Sequence, residues 1–191
     1  MPETKEIKAI ILDTETTGFN KINDPSDPIW VAYLSFAELS GETEPQNRKT
    51  FSQKYNPSKP INPGASKVHG FYKKDLLEFS KYTFTSLEIP ESVEYLIAHN
   101  NKFDWEVIRS TRKFKRICTI KLYKALYPEI GKYALKHLIE TLYPDIASQL
   151  LLQAHGAVAD ARLTLLLINK VLEDFEISSW EEIYQLGGVD A

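Results

Sequence analysis

A run of branched aliphatic residues near the start, IKAIILD at 7–13, constrains the fold of this chain most strongly. Consecutive apolar positions over so short a segment, ended by a Thr-Thr-Gly turn, predict a buried β-strand. Asp13 and Glu15 stand at the end of that strand, one residue apart. Residues i and i+2 of a strand share a face, so we expect the two carboxylates side by side.

Such a pair of acids is costly to hold together. Two like charges about 4 Å apart repel by roughly 4 kcal/mol at an effective dielectric constant of 20. A fold can keep the pair if it is solvated, if it shares a proton, or if it holds a cation between its members. The rest of the sequence has to distinguish these three possibilities.

The remaining pattern predicts an α/β or α+β domain around one mixed sheet, with three antiparallel strands first and alternating helices and strands afterwards. Further strands are predicted at 28–36, 49–55, 94–99 and 115–119. Helices are predicted at about 73–79, from Asn100 or Asn101 to about Thr111, from about Ala157 onward, and at 178–186. No repeat or linker interrupts residues 1–191, so we expect a single domain.

Composition narrows the class of protein. The chain has 191 residues, of which 43% are hydrophobic and 26% charged, as in ordinary globular proteins. Its apolar runs are too short to span a bilayer, and acids stand where a signal peptide carries basic residues. One cysteine, Cys118, excludes an internal disulfide framework and a thiolate zinc cluster. We therefore expect a reducing, cytoplasmic setting.

Two further segments carry acids at the ends of predicted elements. Asp104, in LIAHNNKFDWEV, falls in the first turn of a helix, and so does Asp160, in QAHGAVADARL, five residues after His155. Each alone could be structural, because acids are favoured at helix N-termini. Four carboxylates without a thiolate suit Mg²⁺ or Mn²⁺, and two such ions can clamp the oxygens of a phosphoryl transfer. With His155 as a base, the set predicts phosphodiester hydrolysis.

These segments resemble the three motifs of the DEDDh family of 3′→5′ exonucleases. LDTETTG is similar to the first motif, AHNNKFD to the second, and HGAVADA, with its His-x-x-x-x-Asp spacing, to the third. The motifs stand in the family's order, and the resemblance covers nearly the whole chain. ICTIKLYKALYP and SSWEEIYQL are most similar to bacterial exodeoxyribonuclease X.

The resemblance implies an RNase H-like fold, a five-stranded mixed sheet with an antiparallel second strand, flanked by helices. It implies that Asp13, Glu15, Asp104 and Asp160 hold two Mg²⁺ ions, with Mn²⁺ able to substitute. His155 would be the general base, and nucleoside 5′-monophosphates would leave from a 3′ end. The implied substrate-binding residues, each of which could also be structural, are Thr16, Thr17, Phe19, His69 and Asn100.

Two features bear on the substrate. Relatives usually carry a glutamate in the second strand, and this chain has Val31 at the position we match to it, which would alter handling of the terminal sugar. The basic run RSTRKFKR at 109–116 could follow a phosphate backbone or could be a solvated helix face. The net charge of −3 does not itself indicate a nucleic-acid binder.

Several functions remain open at this point. DNA, in single strands or frayed ends, is the expected polymer, and an exoribonuclease of the same family is the alternative. An aspartyl phosphomonoesterase would need Asp where Glu15 stands and would leave His155 unused. A catalytically silent binding module is disfavoured because all four acids and the histidine are present. Association with a polymerase or with repair machinery is compatible with either activity.

Overall fold

One mixed six-stranded sheet forms the centre of the molecule in the computed structural model, which describes residues 6–19, 21, 24–41, 44–152, 154 and 156–189. The strands lie in the order β3-β2-β1-β4-β5-β6. Their bounds are β1 Ala9–Thr16, β2 Pro28–Phe36, β3 Lys49–Lys54, β4 Tyr95–Ala98, β5 Lys115–Cys118 and β6 Gly188–Val189.

The strand directions match the predicted arrangement. β2 runs antiparallel to both β1 and β3, whereas β4 is parallel to β1 and β5 is parallel to β4. The strand count is six instead of five, because Gly188 and Val189 add a two-residue strand antiparallel to β5. A segment that short carries no periodicity from which it could be predicted.

Seven α-helices flank the sheet within the described part of the chain. Their bounds are α1 Pro63–His69, α2 Asn101–Ile108, α3 Thr119–Leu126, α4 Leu135–Leu142, α5 Ala147–Leu151, α6 Ala157–Asp174 and α7 Trp180–Gly187. The helix predicted at about 73–79 is only a 3₁₀ turn, Lys73–Leu76. No described helix is long and apolar enough to cross a membrane.

The two faces of β1 bury alternate side chains in separate cores. Ala9 and Ile11 belong to the larger core, which contains most of the buried residues of α3, α4, α6 and α7. Ile10 and Leu12 belong to the other core, together with Ile108 at the end of α2. Successive strand residues point to opposite faces, so Asp13 and Glu15 continue the face of Ile11, beside α6.

The register between β1 and β2 corrects the prediction for Val31. Val31 lies opposite Thr14 and is fully buried in the core of Ile10 and Leu12. Residues directly opposite each other in a sheet share a face. The β2 residue on the face of the paired acids, opposite Glu15, is therefore Trp30, and Val31 cannot reach a substrate at those acids.

Candidate active site

Three carboxylates from two distant parts of the chain meet at the end of β1. Asp13 and Glu15 come from β1, and Asp160 comes from the first turn of α6. Each offers a carboxylate oxygen that lies within 4.8 Å of the other two. The positions of these acids at the ends of predicted elements indicated this meeting, and the packing of α6 across β1 and β2 produces it.

Asp104 lies beside this cluster but is not one of the three mutually close acids. It stands in the first turn of α2, is 3% exposed, and its Oδ1 accepts a hydrogen bond of 2.8 Å from the Thr14 hydroxyl. Its charge raises the pKa of both Asp13 and Glu15. The structure thus places the fourth predicted acid next to the site and fixes its carboxyl group through Thr14.

The acids bind protons more tightly than ordinary carboxyl groups. Burial, reinforced by Asp160 and Asp104, raises the pKa of Glu15 to about 8. Burial raises the pKa of Asp104 to about 7, against the opposing effect of the Thr14 hydroxyl, and raises that of Asp13 well above its usual range. Every charged neighbour that shifts the pKa of Asp13 or Glu15 is another carboxylate. Within the described part of the chain, no positively charged group therefore offsets the charge of this pair.

The predicted general base, His155, lies outside the described residues. Its neighbour Gly156 is the N-cap residue of α6 and lies against the ring of Trp30. A Cβ atom at Gly156 would stand 3.1 Å from that ring, so a larger residue would push the two apart. The Trp30 indole is held by a 2.9 Å hydrogen bond to the Ser52 hydroxyl and by an edge-on contact with Phe71.

A cleft of about 340 Å³ opens in front of Glu15. Phe19 and Val68 line it with exposed apolar groups, the Phe19 side chain being 93% exposed. Volumes of this order suit a single small ligand. Phe19 therefore has the free surface that its predicted role in stacking on a base requires.

Thr16, Thr17 and His69 also border the end of β1, but their side chains already have partners within the protein. The Thr16 hydroxyl donates to the Gly18 carbonyl, and the Thr17 hydroxyl accepts from the Asp27 N–H. His69 Nδ1 accepts from the Phe71 N–H, so its Nε2 carries the proton and donates to the Thr16 carbonyl.

His69 thus ties α1 to the end of β1. Burial lowers the pKa of its ring, which keeps this neutral tautomer at neutral pH. Sequence reasoning could not detect this role, because the partner carbonyl lies 53 positions away in the chain.

Asn100 is exposed and has a left-handed backbone conformation, with φ of 63°. It occupies the N-cap position of α2, but its side chain makes no capping hydrogen bond. The neighbouring Asn101 is fully buried and donates from its side-chain amide to the carbonyls of Leu96 in β4 and Ile117 in β5. Asn100 is therefore free to contact a ligand, whereas Asn101 stabilises the sheet.

Most of the basic run at 109–116 stabilises the fold instead of forming a surface for nucleic acid. Arg109 pairs with Asp27 at 2.8 Å. Arg112 donates to four backbone carbonyls between Ile89 and Val93. Arg116 is buried, with its guanidinium over the ring of Trp105. The contacts of these three arginines differ from both alternatives for the run, a surface that follows a phosphate backbone and a solvated helix face.

Comparison with known proteins gives the family of this chain. The exonuclease (RNase T) family model matches residues 10–168. A DNA polymerase III subunit epsilon of Buchnera aphidicola subsp. Schizaphis graminum is 30% identical over 182 residues, 82% of this chain and 70% of that protein. The PolC-type DNA polymerase III of Caldanaerobacter subterraneus subsp. tengcongensis is 28% identical over 94% of this chain, which spans only 13% of that protein.

Solved structures show the same fold. Exonuclease X in complex with 5′-overhanging duplex DNA superposes with a TM-score of 0.71 at 22% identity, covering 93% of this chain and 98% of that one. The zinc-bound complex of E. coli exonuclease I with single-stranded DNA superposes with a TM-score of 0.68 at 17% identity, covering 95% and 42%. This chain belongs to the exonuclease family, as a 3′→5′ exonuclease of the DEDDh type that its motifs predict.

Proposed function

We propose that this exonuclease depends on divalent metal ions and removes nucleoside 5′-monophosphates from the 3′ end of DNA. One observation carries the proposal. Asp13 and Asp160 lie close to Glu15, which lines a cleft, and the pKa values of Asp13 and Glu15 are raised by other carboxylates with no compensating cation among the described residues. A structural role would leave this repulsion unrelieved, whereas divalent cations would offset it.

The donor set fits magnesium. All four acids offer hard carboxylate oxygens, which Mg²⁺ and Mn²⁺ prefer, and Cys118, the only cysteine, is buried. Asp13, Glu15, Asp104 and Asp160 would hold two Mg²⁺ ions, with Mn²⁺ able to replace them. Bound there, the ions would polarise the scissile phosphate and offset negative charge on the attacking and leaving oxygens.

The chain's own residues have separate tasks in this proposal. Thr14 fixes the carboxyl group of Asp104 through its hydroxyl. The exposed ring of Phe19 stacks on the terminal base, a contact worth about 1–3 kcal/mol, while the backbone at Thr16 and Thr17 borders the terminal sugar. His155 takes the proton of the attacking water.

DNA is the proposed polymer because the similar structures hold DNA and the similar sequences are DNA polymerase III proteins. The small cleft volume favours a single unpaired nucleotide, so single-stranded or frayed ends are the proposed form. Association with a polymerase or with repair machinery is proposed on the names of the same relatives.

The proposal is tested with a single-stranded DNA labelled at its 5′ end, incubated with Mg²⁺ or with EDTA beside an RNA of the same sequence. We expect a ladder that shortens from the 3′ end, that EDTA abolishes, and that is faster on DNA. Asp13→Asn should abolish the ladder without loss of stability in EDTA, because it removes one of several repelling carboxylates. Intact DNA with either Mg²⁺ or Mn²⁺ would refute the proposal, and faster cleavage of RNA would refute the choice of polymer.

The base is tested separately with His155→Ala. We expect the turnover number to fall roughly 10²- to 10⁴-fold, the usual contribution of a general base. His137→Ala is the matched control, because His137 lies on α4, which contributes no residue to the acid cluster or to the lining of the cleft. A loss below tenfold for His155→Ala would rule out His155 as the base.

A further inference from the structure

Lys54, at the end of β3, lies on the sheet face that carries the paired acids. The strand register places Trp30 opposite Glu15 and Lys54 opposite Trp30, and residues directly opposite each other share a face. Neighbouring strands are about 4.8 Å apart, so the backbone of Lys54 lies about 10 Å from that of Glu15. No lysine is among the charged neighbours that shift the pKa of Glu15. Lys54 is therefore close to the acid cluster without being its counter-ion.

Two aromatic rings hold the Lys54 ammonium group in place. Its Nζ atom lies 4.5 Å from the ring centroid of Phe71 and 5.2 Å from that of Trp30. The two rings meet edge to face, with their centroids 5.9 Å apart. A cation over the face of an aromatic ring is attracted by the ring's quadrupole. The half-buried side chain of Lys54 therefore has a defined position.

The same ammonium group has no anionic partner in the described part of the chain. The lysines that form ion pairs with described carboxylates are all at other positions. A lysine ammonium group carries three N–H donors and a full positive charge, and a ring face offsets that charge less than an anion does. Lys54 thus presents a positioned positive charge for which an anion is the fitting ligand.

The two rings also place Lys54 relative to the cleft. The Phe71 ring stacks on the His69 ring, with centroids 5.9 Å apart, and His69 lines the cleft. The Trp30 ring lies against Gly156 at the start of α6. Lys54 itself does not line the cleft. Its ammonium group therefore lies beside the acid cluster but outside the cleft proposed for the terminal nucleotide.

A strand whose 3′ nucleotide occupies the cleft has to carry its other phosphates past the acids. Successive phosphates of one strand advance about 3.4 Å along a helix axis, so a few nucleotides cover about 10 Å. We propose, on the basis of the proposed function, that the Lys54 ammonium group binds a non-bridging oxygen of one of the first phosphates from the 3′ end of the cleaved strand. Trp30 and Phe71 keep the group in position for this contact.

Binding without cleavage tests this inference. Fluorescence anisotropy in EDTA measures the affinity for single-stranded DNA, either unmodified or with one neutral methylphosphonate at each of the first few linkages from the 3′ end. Lys54→Met keeps an unbranched apolar side chain against the rings but removes the charge. For unmodified DNA we expect the dissociation constant to rise roughly tenfold, as for the loss of one charge-assisted hydrogen bond. The slope of log K against log salt should weaken by about 0.7, the contribution of one phosphate contact on a single strand.

The modified oligomers identify the phosphate. At one linkage, the methylphosphonate should weaken binding by the wild type roughly tenfold and leave binding by Lys54→Met unchanged, because that variant already lacks the contact. The position of this linkage shows whether Lys54 binds the scissile phosphate or a phosphate next to it. A role of Lys54 in stabilising the sheet alone would lower the affinity for every oligomer by the same factor.

Lys49→Met is the matched control, because Lys49 is exposed at the other end of β3 and on the opposite face of the strand. It should bind every oligomer as the wild type does, and Lys54→Arg should keep most of the wild-type affinity. Equal affinity of the wild type and Lys54→Met for unmodified DNA, or no linkage at which the wild type alone responds, would overturn the inference. Wild-type cleavage of the unmodified oligomer with Mg²⁺ is followed in parallel, so that a failure of the proposed function is recognised independently.

Discussion

Thr14 shows how much of this site depends on a residue that carries no charge. It stands between the two paired acids in the sequence but points to the opposite face of β1, where its hydroxyl donates to buried Asp104. This hydrogen bond lowers the pKa of Asp104 against the effect of burial. The alternation of a strand could have shown that Thr14 faces away from Asp13 and Glu15, but its partner lies 90 positions away.

Thr14→Val should therefore destabilise the fold. The change keeps the shape of the side chain but leaves a buried carboxyl group without its donor, which costs about 1–3 kcal/mol. Thr164→Val is the matched control, because the buried Thr164 hydroxyl has no hydrogen-bond partner among the described residues. Urea unfolding in EDTA measures both variants. Equal effects of the two substitutions would mean that the bond to Asp104 adds nothing to stability.

Among the elements, the segment between α2 and β5 differs most from its predicted role. Charge density left open a surface for nucleic acid and a solvated helix face, because the partners of a basic residue cannot be predicted from its neighbours in the sequence. The guanidinium of Arg112 lies at the centre of the loop that leads into β4 and binds four of its carbonyls. This segment therefore joins two strands of the sheet.

Substitution of Arg112 tests its role in this segment. Arg112→Ala should lower the free energy of unfolding by about 2–4 kcal/mol, because hydrogen bonds from a charged donor are strong and four carbonyls lose their partner. The exposed neighbour Lys113 provides the control, and Lys113→Ala should change stability by less than about 0.5 kcal/mol. Thermal unfolding compares the two. Similar midpoints for both variants would contradict the role assigned to Arg112.

For the whole molecule, the acid cluster makes stability depend on pH and on cations. The pKa of Glu15 is about 8 in the folded protein against an ordinary value of 4.5, so the folded state keeps its proton to higher pH. In EDTA, the contribution of Glu15 to stability is therefore fully present below about pH 4.5 and is lost as pH rises toward 8, by up to about 1.4 kcal/mol per pH unit.

Magnesium should reverse this loss, because it binds the deprotonated acids of the folded state. The increase in melting temperature on adding Mg²⁺ should be larger at pH 8 than at pH 6.5. The range from pH 6.5 to pH 8 lies above most of the titration of His99. Burial lowers the pKa of His99 to about 4, so its titration has the opposite effect on stability, at lower pH. An increase of the same size at both pH values would contradict the raised pKa values of the acids.

Much of the fold was predictable because its signals are local. β2 has the predicted bounds, 28–36, since its apolar residues lie in one uninterrupted run. The acids could be found because they stand at element ends, where sheet folds gather functional groups. The hydrogen-bond partners of His69 and Arg112 and the register that turns Val31 away depend on contacts between distant segments. No local pattern in the sequence contains that information.

The central claim is that the acids at the end of β1 form a divalent-cation site. Titration of the chain with Mn²⁺, followed by the electron paramagnetic resonance of the free ion, tests it most directly. We predict that the wild type removes up to two Mn²⁺ ions per chain from solution and that Asp13→Asn removes fewer. No uptake by the wild type, or equal uptake by the two proteins, would contradict the claim.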